Sequence, residues 1–188
     1  MHTQLPWYGI RVRSKYEKRV SAALEGKGYE SFLPLYRSGR VWSDRAKELD
    51  LPLFPGYTFC RLDLGERLMP VLTTPGVVAI VGAGKVPVAV STAEIDSVKA
   101  LIKSGLRILP WPSLSAGTKV LIERGPLTGV EGVVLKTEKR WRLLVSISLL
   151  QRAVSVELDR DWVRPINTHV LEEQTPSRLT SRAGIAAR

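Results

Sequence analysis

The 188-residue chain has one cysteine, Cys60, and two histidines, His2 and His169, one near each end. A lone cysteine excludes an internal disulfide and fits a reducing compartment. One thiol and two peripheral imidazoles do not build a zinc cluster, and Ser-His-Asp or Cys-His chemistry lacks a histidine held in a folded stretch. No apolar run reaches membrane-spanning length, and Met1–Pro6 lacks the basic start and apolar stretch of a signal peptide. A cytoplasmic protein with no membrane contact is expected. Carboxylates are present but not paired at a telling spacing. Gly82-Ala83-Gly84-Lys85 is the nearest approach to a phosphate loop. It lacks the four-residue spacer and the Lys-Ser/Thr pair, and a hairpin turn explains it better. The reading is a chain that is not an enzyme and needs no cofactor or metal.

What the chain has in excess is positive charge. Lys and Arg number 28 against 18 Asp and Glu, a formal net charge of +10. That points to a negatively charged partner, nucleic acid before a membrane surface. Apolar residues make up 44% of the chain, enough for packed cores and too many for a disordered one. Its length fits one or two domains. The cations are grouped. Arg11, Arg13, Lys15, Lys18 and Arg19 lie where a first strand should meet its helix. Arg37, Arg40, Arg45 and Lys47 are spread through Arg37–Asp50, a polar stretch without apolar period that reads as a loop or an irregular hairpin. Each group alone is a solvated face. Converging, they form a positive rim that contacts phosphates without reading sequence. Trp42 among them either stacks on an unpaired base or plugs its loop onto the body.

The first half is organised around Leu51–Phe59, Leu-Pro-Leu-Phe-Pro-Gly-Tyr-Thr-Phe. Pro52 and Pro55 fix φ and remove two donors, and Gly56 is free to take positive φ. Phe54 sits just before this corner, where a large apolar side chain is either core or a contact surface. Trp7–Arg13 reads as a strand. Ser14 and Glu17 suggest a capping box for a helix whose buried face is Tyr16, Val20, Ala23 and Leu24. Tyr29–Tyr36 is extended and broken by Pro34. After the corner strand come a short helix over Glu66–Leu72 and strands at Val77–Val81 and Val86–Val90. A second helix follows, opened by a Ser91/Glu94 capping box with Val90 stapled onto Ile95. The order β-α-β-β-α-β-β-α predicts an α+β domain with helices on a mostly antiparallel sheet.

Residues 109–116, with Pro110 and Pro112, read as a stiff linker. Beyond it, Lys119–Glu123, Glu131–Lys136, Leu143–Ser148, Val154–Leu158 and Trp162–Val163 are five strand candidates at about ten-residue spacing, which predicts a small all-β barrel. From Thr168 onward the chain is polar and without period, and a disordered tail is expected. Arg124–Val134 carries Gly125, Pro126, Gly129 and Gly132 between two strands: a turn, a positive-φ position and a close backbone approach.

This glycine-rich stretch resembles the KOW motif. Trp7-Tyr8, Phe54-Pro55-Gly56-Tyr57 and Thr74-Pro75-Gly76-Val77 resemble the N-terminal domain of NusG-type transcription elongation factors. The likeness covers Pro6 to about Ile166. Ser31-Phe32-Leu33-Pro34-Leu35-Tyr36, Trp42-Ser43-Asp44-Arg45 and Leu149-Leu150-Gln151-Arg152 look like the antiterminator branch that includes RfaH and the UpxY/LoaP regulators. The resemblance implies a ferredoxin-like NGN domain over 6–108, the linker at 109–116, an SH3-like KOW barrel over 117–166 and a tail over 167–188. It implies a monomer that binds the clamp helices of RNA polymerase through an apolar patch holding Phe54 and Tyr57, with Arg11 and Arg19 on the same face. Arg13, Lys15, Arg37, Arg40, Arg45 and Lys47 are then candidates for contact with the DNA or RNA of the elongation complex. Leu149 and Leu150 match the pair through which the KOW domain recruits Rho or a small-subunit ribosomal protein. RfaH itself can fold that domain as a helical hairpin, but here Gly125, Gly129 and Gly132 disfavour helix, and the barrel is expected. Two rival readings stay open: an RNA- or ribosome-binding KOW module with no polymerase contact, and an enzyme using residues not identified above.

Overall fold

The computed structural model describes residues 5–42, 45–111, 117–136 and 141–166, and at 39–42, 45–47, 136, 141, 160 and 165 the backbone alone. In chain order the first half runs β1 (Trp7–Val12), α1 (Glu17–Gly26), β2 (Ser31–Phe32), β3 (Leu35–Trp42), β4 (Arg45–Pro52), β5 (Tyr57–Arg61), α2 (Leu68–Leu72), β6 (Val77–Ile80), β7 (Gly82–Ala83), β8 (Val86–Pro87), β9 (Ala89–Val90) and α3 (Thr92–Lys103). The second half has β10 (Ile108–Trp111), β11 (Thr118–Ile122), β12 (Glu131–Lys136), β13 (Trp141–Ile147), β14 (Arg152–Leu158) and β15 (Val163–Pro165).

β1 lies inside an antiparallel sheet of order β2-β5-β1-β6, with β9 pairing its first residues on the β6 side. Side chains alternate across the sheet. Tyr8, Ile10 and Val12 face α1 and α2, where they pack with Val20, Leu24, Tyr29, Cys60, Leu62 and Val71. Trp7, Gly9 and Arg11 face the other way, opposite Arg61, Phe59 and Tyr57. On that second face Trp7 and Phe59 join Phe54, Leu53 and the buried stripe of α3, Ile95, Val98 and Leu101. Burial on both faces is why Trp7–Val12 reads as a nearly continuous apolar run.

The second half is a six-stranded antiparallel sheet of order β10-β14-β13-β12-β11-β15. Its strands match the five expected segments to within a few residues. The correction is the linker. Ile108–Trp111 pairs antiparallel with β14, Pro110 opposite Val154. A proline is tolerated there because β10 is an edge strand whose missing donor costs no ladder bond on its outer side. Residues 112–116 and the expected tail at 167–188 fall outside the described residues.

Both expected capping boxes are also corrected. α1 begins at Glu17, with Tyr16 as N-cap and no side-chain cap, after a turn in which Lys15 has φ 68°. Glu17 is buried, and its carboxylate accepts the Gly56 N–H at 2.9 Å. Ser91 is the N-cap of α3 without a side-chain hydrogen bond, and Glu94 reaches away to accept the Ser148 N–H at 3.1 Å. In each case a glutamate placed to serve its own helix satisfies a donor elsewhere. The stretch Arg37–Asp50 is no irregular loop. β3 and β4 form a regular two-stranded ribbon, paired from Leu35↔Pro52 to Trp42↔Arg45. It lacks apolar period because it stands apart from the two large sheets. Gly82–Pro87 is the hairpin preferred over a phosphate loop.

Two predictions follow from this packing. Replacing Glu17 by Ala leaves the half-buried Gly56 donor without its carboxylate, and should lower stability by about 1–3 kcal/mol in urea unfolding. Burial pushes the Cys60 thiol up to about 12 from 9.0. It therefore stays protonated, and the folded protein should resist iodoacetamide at pH 8 while the unfolded chain alkylates.

Candidate functional site

The Pro52–Tyr57 corner is pinned from three sides. Leu53 N–H donates to the Pro34 carbonyl at 2.9 Å, Tyr57 N–H to Phe54 O at 3.0 Å, and Val12 N–H to Gly56 O at 2.8 Å. Gly56 takes φ 85°, as its place in the turn requires. So fixed, the corner turns Phe54 inward. Its side chain is 0% exposed and meets Phe59 edge-on, centroids 5.8 Å apart at 90°. The expectation of Phe54 as an exposed anchor is corrected: it completes the aromatic group of Trp7, Phe32 and Phe59, and contributes to the core.

Tyr57 is half-buried opposite Arg11, and what covers it comes from the second half. The Arg152 guanidinium lies 5.1 Å from its ring centroid and donates to Pro55 O at 2.9 Å. Beside this, Gly9 leaves bare backbone. A Cβ placed there would sit 3.2 Å from Val81 Cγ2 and 3.6 Å from Leu150 Cδ2. Leu150 is buried at the end of a short 3-10 turn, Ser148–Leu150, and Leu149 is half-buried against the same cluster. Expected as an open contact for a further factor, this pair instead packs against the protein's own core in this arrangement. Glu94 fixes the turn from α3 through Ser148 N–H. The seam is incompletely filled: a cleft of about 500 Å³ runs between α3 and the second sheet, lined by Glu94, Ser97, Lys119, Glu131 and Ser146 among others.

Arg11, Arg13, Lys15 and Arg19 are all exposed. Arg19 stacks on the Tyr16 ring at 5.2 Å, on the helix covering the opposite face of the sheet from Arg11. The two therefore do not share a face, because α1 crosses to the other side after the Ser14-Lys15 turn. Arg37 pairs loosely with Glu48 at 3.9 Å, both largely exposed, a contact worth little. Arg40, Arg45 and Lys47 take their places on the ribbon by register. β3–β4 forms a two-stranded sheet of its own, apart from the sheet that holds β1. The ribbon base and the β1–α1 junction nevertheless leave the same end of the sheet, where Arg11 opposes Tyr57.

In the second half Gly125 and Gly129 have φ 81° and 86°. At Gly132 a Cβ would lie 2.6 Å from Leu144 O, so the close approach read from sequence is present. Pro126 lies in the exposed turn, whose Leu127 plugs the core. Among the described residues no three His, Cys, Asp or Glu side chains gather as a metal site. Sequence reasoning missed the residues that hold the halves together. Glu94 had been assigned to its own helix, and Arg152 carried no signal beyond its place beside Leu149-Leu150.

Comparison with known proteins agrees with this architecture. The transcription termination/antitermination protein NusG of Thermus thermophilus is 29% identical over 177 residues, covering 82% of this chain and 95% of that protein. Its namesake in Chlamydia pneumoniae is 30% identical over 170 residues, covering 83% and 92%. A solved structure described as "Domain interaction in Thermotoga maritima NusG" superposes with a TM-score of 0.52 at 24% identity, over 86% of this chain and 97% of that one. The family model "NusG: Transcription termination factor nusG" matches residues 5–99, the whole of the first sheet and most of α3. With half its length under that model and nearly all of the Chlamydia relative spanned, the chain belongs to the NusG family.

Proposed function

We propose that this chain is a transcription termination/antitermination factor that binds the clamp helices of RNA polymerase through the second face of its first sheet, around Gly9, Arg11, Tyr57 and Val81. The observation that carries the reading is the cover on that face. It is apolar at Gly9, Val81 and Leu150, and it is closed by two hydrogen bonds, Ser148 N–H donating to the Glu94 carboxylate and the Arg152 guanidinium donating to Pro55 O. A face already shaped to take a protein surface, under a cover held by few polar links, suits exchange of that cover for a partner. The same 3-10 turn that lies on Gly9 carries Leu149 and Leu150. Release would therefore free both halves together: the first for polymerase, and the second, a KOW domain over 117–166, for Rho or a small-subunit ribosomal protein.

The mechanism is differential binding. A factor that fits the closed clamp better than the open one shifts the population toward the processive state and suppresses pausing or termination. Docking lowers the apparent affinity by the fraction of molecules undocked. The segments Ser31–Tyr36 and Leu149–Arg152 support placement in the specialised antiterminator branch, which serves long operons.

Substituting Leu150 with Asp should release the second half, raise the radius of gyration in X-ray scattering, and increase capture of core polymerase several-fold. Tyr57→Ala in that background should weaken capture by about 1–3 kcal/mol, the cost of truncating an interface anchor. Phe54→Ala is the wrong probe, since emptying this core site should cost about 3–5 kcal/mol of stability. Capture must persist at high salt if the contact is apolar, whereas a purely cationic RNA contact fades steeply. No capture of polymerase by the released form in either salt would leave the RNA-binding module as the better reading.

A further inference from the structure

Strand β10 follows α3 in the chain, yet its backbone is bonded to the other half. Its four residues pair antiparallel with β14: Ile108 with Val156, Leu109 with Ser155, Pro110 with Val154 and Trp111 with Ala153. The Ser155 hydroxyl also donates to Leu109 O at 3.4 Å. Among the described residues no ladder joins β10 to the first sheet or to the β3–β4 ribbon. On the side of the first half its links are side-chain packing, with Ile108 in the cluster that also holds Leu101.

The connection from α3 to β10 is short, Ser104 to Arg107. α3 is closed before it. Ser104 N–H donates to Ala100 O at 3.0 Å, and the Ser104 hydroxyl donates to Leu101 O at 2.7 Å. Gly105 follows at φ 70°, exposed, and a Cβ there would meet nothing within 4 Å. The bond spanning it, Leu106 N–H to Ser104 Oγ at 3.2 Å, is a neutral one that water can replace. Beside it an open groove of about 580 Å³ runs between Leu35 and Tyr36 at the ribbon base and Ile102, Leu106 and Ile108. A turn at Gly105 therefore has room and leaves the β10–β14 ladder whole. A turn at residues 112–116, with β10 kept on α3, would strip that ladder and bare the edge of β14, whose Val154 and Val156 are 0% and 1% exposed. An unpaired apolar edge of that kind is an aggregation hazard. The first route costs far less than the second.

We propose that the two halves part at Gly105, with β10 travelling on β14, so that the edge of β14 is never offered to a partner. A protein recruited by the second half then docks on the Ser148–Leu150 turn, which parting uncovers, and does not add a strand beside β14. Pro110 carries the same logic to β10. It leaves the strand without a donor at that position, and an edge short of a donor is a poor template for a further strand. The inference rests on the reading above in taking the halves to separate. It adds where they separate and which surface that frees.

The test ties β10 to β14 in the full chain, by Leu109→Cys together with Ser155→Cys. Directly opposed residues of an antiparallel pair lie within the Cα separation that a disulfide spans, and Cys60 is buried away from the pair's chemistry. In the Leu150→Asp background the oxidised chain should keep the enlarged radius of gyration and the polymerase capture of its reduced form. Return of the oxidised chain to the compact wild-type radius overturns the proposal, since β10 would then have to leave β14 for the halves to part. A second measurement does not depend on parting. In native-state hydrogen exchange of the wild type, the ladder amides of β10 should open with those of β13 and β14. In Leu150→Asp they should hold that protection while the Ser148 amide exchanges about tenfold faster. Amides of β10 that open with α3, or that accelerate along with Ser148, overturn it as well. The two readings fail separately. If Leu150→Asp changes neither the radius nor Ser148 exchange, the exchange of cover proposed above fails, and the wild-type exchange pattern still decides to which half β10 belongs. Parting in the reduced chain and closure in the oxidised one sinks this inference alone.

Discussion

A strand that is apolar on both faces needs two covers, and β1 is such a strand. Helices α1 and α2 close one side with a buried cluster from Tyr8 to Val71. On the other, α3 and the Phe54 corner close the Trp7 end, and the Gly9–Tyr57 end is closed by Val81 together with residues from beyond position 145. That division sets the character of the molecule. One face of the sheet is core in the ordinary sense, sealed by elements adjacent in sequence. The other is finished by a module joined through a short connection, so its completeness depends on where that module sits.

Two glutamates show how the arrangement is held. Glu17 and Glu94 both stand in the first turn of a helix, where a carboxylate interacts well with the helix dipole. Each spends its hydrogen bond outside its helix, Glu17 on the Gly56 corner and Glu94 on the Ser148 turn. The two bonds differ in exposure. Glu17 is buried, so its bond is costly to break and the corner is a fixed part of the first half. The Glu94 bond is exposed to water, which can replace it. Fixed corner and releasable turn are thus built from the same chemistry at different depths.

Much of this was legible in the sequence. Local signals were strong where burial reinforced them: the Trp7 strand, the apolar stripe of α3, and the ten-residue spacing of the later strands. The close approach at Gly132 was read from the glycine alone. Legibility failed where a residue's partner is distant in sequence. Ser14/Glu17 and Ser91/Glu94 carry the spacing of capping boxes, and nothing local says that Gly56 or Ser148 competes for the carboxylate. Phe54 could be core or surface on sequence grounds, and only the direction of the Gly56 turn decides it for core. Leu109–Trp111 looked like linker because Pro110 breaks the strand pattern, and an edge position is a context where that break costs little. Arg37–Asp50 gave no period because its ribbon stands apart from the two large sheets, yet eight paired positions make it regular.

The strength of the cover has to fall within limits for the proposed exchange to work. A buried leucine contributes about 2 kcal/mol, and each exposed charge-assisted hydrogen bond about 1 kcal/mol net of its hydration. Leu150, Glu94 and Arg152 together thus hold the docked state by a few kcal/mol, enough to keep the face covered in most molecules. A partner needs about 5.5 kcal/mol of differential affinity to invert a hundredfold preference, and an interface of ordinary size with a few good anchors supplies that. A larger, fully apolar seam would exceed what a partner can overcome, and a bare tether would leave Gly9 and Tyr57 open to any apolar surface. The cleft beside α3 and the water-exposed Glu94 bond keep the seam between these extremes. On this argument the incomplete packing between the halves is what makes the covered face usable.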